Sequence, residues 1–222
     1  MSAPRPQEHH PIAPRRVAFD WHGTPLHWIP DVLGDRPPFR VPIPEGEWLR
    51  FRLALIAAIE QFTAVLGNWV LAAGGLDRAG PDPVMLDLLR WHGAEEVEHR
   101  AVAFDVYQHT GGEEPARYAR RVLAMGVTAP VLLYLWTWGA AYLLRHDPQP
   151  AAPARYSLRA HHRAVRKGLL PTWRELGAAI PRYVRRSYHP SQEGSLRTAL
   201  AYLAASPAAR AAAGALSRSA LR

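Results

Sequence analysis

Residues 122–144 form a run of 23 residues without a charged side chain. As a helix it reaches ~35 Å, enough to cross a bilayer core. Either a fold wraps such a segment on all sides or lipid does. Arg117, Arg120 and Arg121 precede it and Arg145 follows. Positive charge on both flanks leaves an orientation in a membrane undecided. Trp136 and Trp138 stand towards its end, and Pro130 is expected to kink it. Two readings stay open, a central helix buried in a bundle and a membrane-associated or inserted one.

The rest of the chain narrows the class. Apolar residues recur at three and four, and no alternating run is bounded by Asn-Gly or Asp-Gly turns, so the expected fold is all-α. A helix is expected over about 48–73, with a stripe of Leu53, Ile56, Ala57, Glu60, Thr63, Ala64, Gly67 and Leu71. A second runs over about 82–109 and ends at Gly111-Gly112, where a left-handed residue closes a helix. The link at 74–81 is short, so these two should pack antiparallel. A third covers about 115–145. A Pro/Ala linker (147–154), a basic helix (156–168), a shorter helix (171–188) and two alanine-rich stretches (194–204, 207–220) follow. Upstream, 1–16 reads as a flexible tail and 17–30 as irregular aromatic packing. Pro37, Pro38, Pro42 and Pro44 make a helix over 31–47 improbable. The expected division is therefore 1–47 irregular, 48–146 a helical core, and 155–222 C-terminal basic and alanine-rich helices.

Composition excludes several chemistries. There is no cysteine, hence no disulfide, thiolate ligand or cysteine nucleophile. No GxSxG elbow or glycine-rich phosphate loop occurs. The first 16 residues have no apolar core of a secretory signal, so a cytoplasmic location, or the cytoplasmic side of a membrane, is expected. The formal charge of +8 is concentrated at Arg155, Arg159, Arg163, Arg166, Lys167, Arg174, Arg182, Arg185 and Arg186, facing one acid, Glu175. No nucleic-acid motif accompanies them, so they read as a solvated face and no nucleic-acid partner is expected.

The chemistry lies in WHGAEEVEHRAVAFDVY, residues 91–107. His92, Glu95, Glu96 and His99 fall within about 100° of arc on one helix. Met85, Leu88, Leu89, Ala103 and Val106 share that arc, so ionisable groups interrupt a stripe expected to face a core. Unpaired burial of such groups is costly, and a metal ion is one way to satisfy them. Dimetal sites in helix bundles take one Glu from each of two helices and a Glu-x-x-His pair from each of the other two. Glu96-Val97-Glu98-His99 is one such pair, and Glu60 on the preceding antiparallel helix is a matching single carboxylate. Against this, a lone histidine such as His92 is more often a hydrogen-bonded core residue than a ligand, Glu95 and His99 also read as a surface pair, and Glu98 as solvated or salt-bridged.

These residues carry a resemblance. IEQFTAVLGNW (59–69) and LLRWHGAEEVEHRAVAFDVY (88–107) resemble the bacterial predicted metal-dependent hydrolases, a family that looks ferritin-like. RVAFDWHGTPLHWIP (16–30) is similar to that family's opening and SYHPSQE (187–193) to its closing phrase. The resemblance implies a ferritin-like partial helical bundle with additional C-terminal helices. It also implies a divalent metal (iron, manganese or zinc) at Glu60, Glu96 and His99, and an unidentified small-molecule substrate; helical spacing alone adds His92 as a further candidate ligand. Family members carry a further helix pair with a QExxH helix before the Glu60-type helix, and this chain has no second Glu-x-x-His. Three outcomes are open: two copies pair and each supplies Glu60, Glu96 and His99; the chain is an inactive relative; or one metal binds weakly with water completing its shell. For hydrolysis, Glu95 is the candidate proton acceptor. The alternatives are a di-iron oxidase-like protein and a non-enzymatic membrane-associated helical protein.

Overall fold

The computed structural model describes residues 42–146, 156–207, 209 and 210. The chain divides into two compact units, Met1–Pro42 and Ile43–Arg222, and every helix among the described residues belongs to the second. The expectations for 1–41, for the 147–154 linker and for most of 207–220 lie outside the described residues.

Every regular element among the described residues is helical, as the apolar spacing implies. Helix α1, Glu45–Ala72, starts just after Pro44, with Glu45 and Glu47 in its first turn where carboxylates suit the helix dipole. The short link is itself partly helical, as α2, Gly74–Arg78. Gly80 then takes a positive φ of 62°, a conformation glycine adopts without steric cost. Asp82 caps α3, Pro83–His99, its carboxylate accepting the Val84 and Met85 amides at 2.9 and 3.0 Å, with Pro83 in the first helical position. α1 runs antiparallel to the chain that follows Asp82, since Gly67 meets Gly93 on α3 and the earlier Glu60 meets the later Ala103 beyond its end.

The expected single helix over 82–109 is broken. α3 stops at His99, and α4, Val102–Thr110, begins after a turn at Arg100 and Ala101. Side chains have entered the backbone ladder, a recognised cause of kinks. The Arg100 guanidinium, buried, donates to the Val97 carbonyl and to Pro190 O at 3.1 Å. The Ala103 amide would reach the His99 carbonyl in an unbroken helix. It donates instead to Glu60 Oε2 at 3.2 Å.

α3 is also rotated from the expected phase. Gly93, Ala94 and Val97 are its buried residues, packed on α1 and on Ala199 of α9, Leu196–Ala205. Met85 is 60% exposed, Leu88 47% and Leu89 45%, and on α4 Val106 is 44% exposed. Small residues win the inward face because they allow backbone approach; the Cβ of an alanine at Gly67 would lie 2.2 Å from Gly93 O.

Helix α5, Ala116–His146, runs through Pro130. Its N-terminal half buries Arg121, Ala124, Met125 and Thr128 against the bundle. Farther along, Leu133 and Leu143 are 50% and 70% exposed, and the described residues bury only 17% of its most apolar window. The enclosure expected of a central helix is therefore absent among the described residues. α6, Leu158–Arg166, is capped by Ser157 and exposes Arg159, Arg163 and Arg166. The expected 171–188 helix is two short ones, α7 (Trp173–Gly177) and α8 (Ala179–Tyr183), the first held by a Thr172–Glu175 capping box. Tyr183 and Tyr188 complete a core of Ala57, Ala58, Ala103, Phe104 and Met125, with the Phe104 ring edge-on to both tyrosines.

Candidate metal centre

Glu60 is delivered by α1 to the break between α3 and α4. Its carboxylate caps the first turn of α4 through Ala103 N–H, a favourable place for negative charge. Burial raises its pKa above the ordinary carboxylate range, the Ala103 hydrogen bond works against that rise, the Glu96 charge adds to it and His99 opposes it. Glu96 and His99, on α3, are thus near enough to Glu60, on α1, to act on its charge.

The side chains themselves pair along α3. His92 Nε2 lies 3.4 Å from Glu96 Oε1, one turn on, and His99 Nε2 lies 2.7 Å from Glu98 Oε2. The two imidazoles are 64% and 60% exposed, so the His/Glu ridge runs along the rim of the α1–α3 contact. Glu95 is half-buried and makes no hydrogen bond or ion pair among the described residues. No three His, Asp or Glu side chains among the described residues stand close enough to share an ion. Two carboxylates and an imidazole are suitable donors for a divalent metal. One copy of the chain, in this conformation, brings them to a common region without closing a site.

The ridge borders an apolar cleft. A cavity of about 320 Å³ includes His92 and Glu96 in a wall otherwise formed by residues such as Leu66, Val70, Leu89 and Trp136. Thr63, Leu66 and Trp136 also line a neighbouring cavity of about 450 Å³ that continues to Leu132, Trp173 and Ile180. The polar pair stands at one end of a long greasy trough.

The closing phrase at 187–193 is built into the back of this region, which the metal-ligand pattern does not anticipate. Tyr188 donates its hydroxyl to the buried Gln61 amide oxygen, and Gln61 Nε2 donates to Glu193 Oε1 at 3.4 Å. Ser191 N–H donates to His189 Nδ1 at 3.2 Å, which leaves Nε2–H to donate to Asp105 Oδ1 at 2.9 Å. Arg100, whose guanidinium donates to Pro190 O, ties the phrase to the helix break as well. The sequence signal for these residues is the phrase itself, without a partner for it.

A family model described as predicted metal-dependent hydrolase matches residues 41–194. The chain belongs to that family. The match takes in α1, α3, α4 and the 187–193 phrase of this metal-dependent hydrolase relative, and starts after the 16–30 phrase. Membership implies a divalent metal without naming it. No curated protein and no solved structure matches the chain.

Proposed function

We propose that this chain is a metal-dependent hydrolase whose divalent ion (iron, manganese or zinc) is held by Glu60, Glu96 and His99 from two copies paired about a twofold axis. The observation that carries this reading is an unfinished donor set beside an uncovered apolar stripe. Met85, Leu88, Leu89, Val102 and Val106, all more than 40% exposed, extend along α3 and α4 on either side of the His/Glu ridge. An exposed apolar face next to an incomplete site suits a self-complementary interface, in which each copy supplies the same residues to the other. His92 orients Glu96, and Glu95, with no competing partner among the described residues, accepts the proton of the attacking water. The apolar trough that ends at His92 and Glu96 favours esters of long apolar chains as substrates.

The family assignment favours a soluble protein. Two described helices, Glu45–Ala72 and Ala116–His146, are long and apolar enough to cross a membrane, which is weak support for membrane association.

Elemental analysis coupled to mass in solution tests the proposal. A dimer carrying iron, manganese or zinc is expected, with the metal lost in Glu60→Ala and His99→Ala while the purified variants keep their helical spectrum. A folded, metal-free monomer overturns it. On the metal-loaded dimer, ester hydrolysis should increase with acyl length.

A further inference from the structure

Away from the ridge, α4, α5 and the start of the closing phrase border a polar cavity of about 290 Å³, lined among others by Arg117, Tyr118, Arg121, Arg186 and Glu114. Its charge does not balance. Glu114 lies 3.3 Å from Arg117 and 3.9 Å from Arg186. Arg121 is only 3% exposed and pairs with no carboxylate among the described residues. It makes one hydrogen bond, from Nη2 to Arg185 O at 2.7 Å, and its Nε is buried without a partner. A guanidinium has five N–H donors, and burying one with most of them unspent is costly. The faces of Phe104, Tyr118 and Tyr183, at 5.6, 5.3 and 5.6 Å from its central carbon, offset part of that cost and fix the group in place. Arg186 stacks on the other part of the wall, 4.2 Å from the Tyr118 ring, with its side chain 69% exposed at the mouth. His189 also lines the cavity, but its Nε2 is engaged by Asp105. Three arginines against one carboxylate leave two positive charges in excess.

We propose that this cavity binds a doubly charged oxyanion, a phosphate group either free or as a small monoester, with Arg121 as the buried anchor and Arg186 as the arm at the mouth. Guanidinium groups recognise phosphate oxygens through paired N–H donors, and a phosphate dianion matches the excess charge. Phe104, Tyr118 and Tyr188 offer apolar contact to the organic part of a monoester. The inference is independent of the metal centre, which uses none of these side chains.

The test is isothermal titration of the full chain with inorganic phosphate and, separately, with glycerol phosphate, at ionic strength held constant with chloride. Saturable binding of either is expected. Tighter binding of glycerol phosphate assigns the site to an organic phosphate, and equal or weaker binding assigns it to free phosphate. Arg186→Glu, at an exposed position that the fold tolerates, should weaken binding by about tenfold or more, a difference near 1.4 kcal/mol. Arg174→Glu, an exposed arginine outside the cavity, should leave it unchanged. No saturable binding, or an equal loss in both variants, overturns the proposal.

Discussion

Replacing Gly67 by alanine tests the contact that sets the distance between Glu60 and the α3 ridge. The added Cβ would stand 2.2 Å from Gly93 O and 3.0 Å from Gly93 C, both backbone atoms that no rotamer change can move. Restoring ordinary contact near 3.4 Å requires α1 and α3 to separate by roughly 1 Å at the crossing. Overpacking of this kind costs about 1–3 kcal/mol, and the rigid backbone obstacle puts Gly67 at the upper end. Alanine regains about 1 kcal/mol of helix propensity. The net expectation is a loss of about 2 kcal/mol, or a fall in melting temperature of about 4–8 °C for a chain of this size. Gly93→Ala is the internal control. Its Cβ would lie 3.1 Å from Gly67 Cα and 3.2 Å from Gly67 O, a crowding relieved by a few tenths of an ångström. There, propensity and crowding nearly cancel, to within about 1 kcal/mol. Urea denaturation followed by far-ultraviolet circular dichroism measures both. If Gly67→Ala is as stable as the parent, or if the two variants lose the same amount, the close crossing is not what positions these helices. Glu60 lies two turns from Gly67, about 10 Å along α1, so the same variant should also lower metal content if the proposed two-copy metal site forms.

The buried polar groups give two further outcomes. Burial raises the Glu60 pKa, so the folded chain holds that proton to higher pH than the unfolded chain does. Its contribution to stability is then complete below the ordinary carboxyl value and is lost as pH rises through the folded value. In chelator, Glu60→Gln keeps an oxygen for Ala103 N–H, and it should show a flatter stability profile than the parent from about pH 4 to 7; a steeper one refutes the desolvation argument. Tyr188→Phe leaves the buried Gln61 oxygen without its donor and should cost about 1–3 kcal/mol in urea denaturation, whereas a neutral result would mean that water replaces the hydroxyl.

Much of the helical plan is written locally. The Asp82-Pro83 start, the 115–145 helix and the antiparallel return of α3 on α1 come from capping residues, apolar spacing and a short link, each contained within a few positions of sequence. The break at Arg100 is not legible, because it is made by contacts separated by 43 residues (Glu60 to Ala103) and 90 residues (Arg100 to Pro190). The rotation of α3 escapes apolar counting for a different reason. Counting favours Met85, Leu88 and Leu89 for the core, but helix approach is decided by what is smallest, and Gly67 and Gly93 in mid-helix are the visible signal of it. The same rotation changes how the candidate site is read. Glu60, Glu96 and His99 do lie on neighbouring elements, as their order along the chain implies, yet the outward placement of the His99 imidazole means that burial within one copy does not bring it onto the half-buried Glu60 and Glu96. The cluster of Arg117 and Arg121, one turn apart, is legible as basic flanking charge and not as a cavity wall, since Arg186 and Tyr188 reach it only after the chain returns at Arg185, 64 residues after Arg121.

Capping and metal ligation at Glu60 are compatible in space and opposed in protonation. A carboxylate has two oxygens, and Ala103 N–H occupies Oε2, which leaves Oε1 for a second partner. As a cap in a half-buried setting the group gains from the N–H but is pushed towards its neutral form by burial and by Glu96. A bound cation reverses that balance, because it favours the anion at both Glu60 and Glu96 and removes their mutual repulsion. Metal-free protein should therefore lose stability through this group as pH rises, whereas metal-loaded protein should lose it as pH falls and the ligands protonate. The helix break makes the coupling structural: Glu60 caps α4, and α4 carries Ala103, Phe104 and Tyr107 into the core. On the proposed metal reading, ion binding would thus be tied to the packing of the bundle through a single carboxylate.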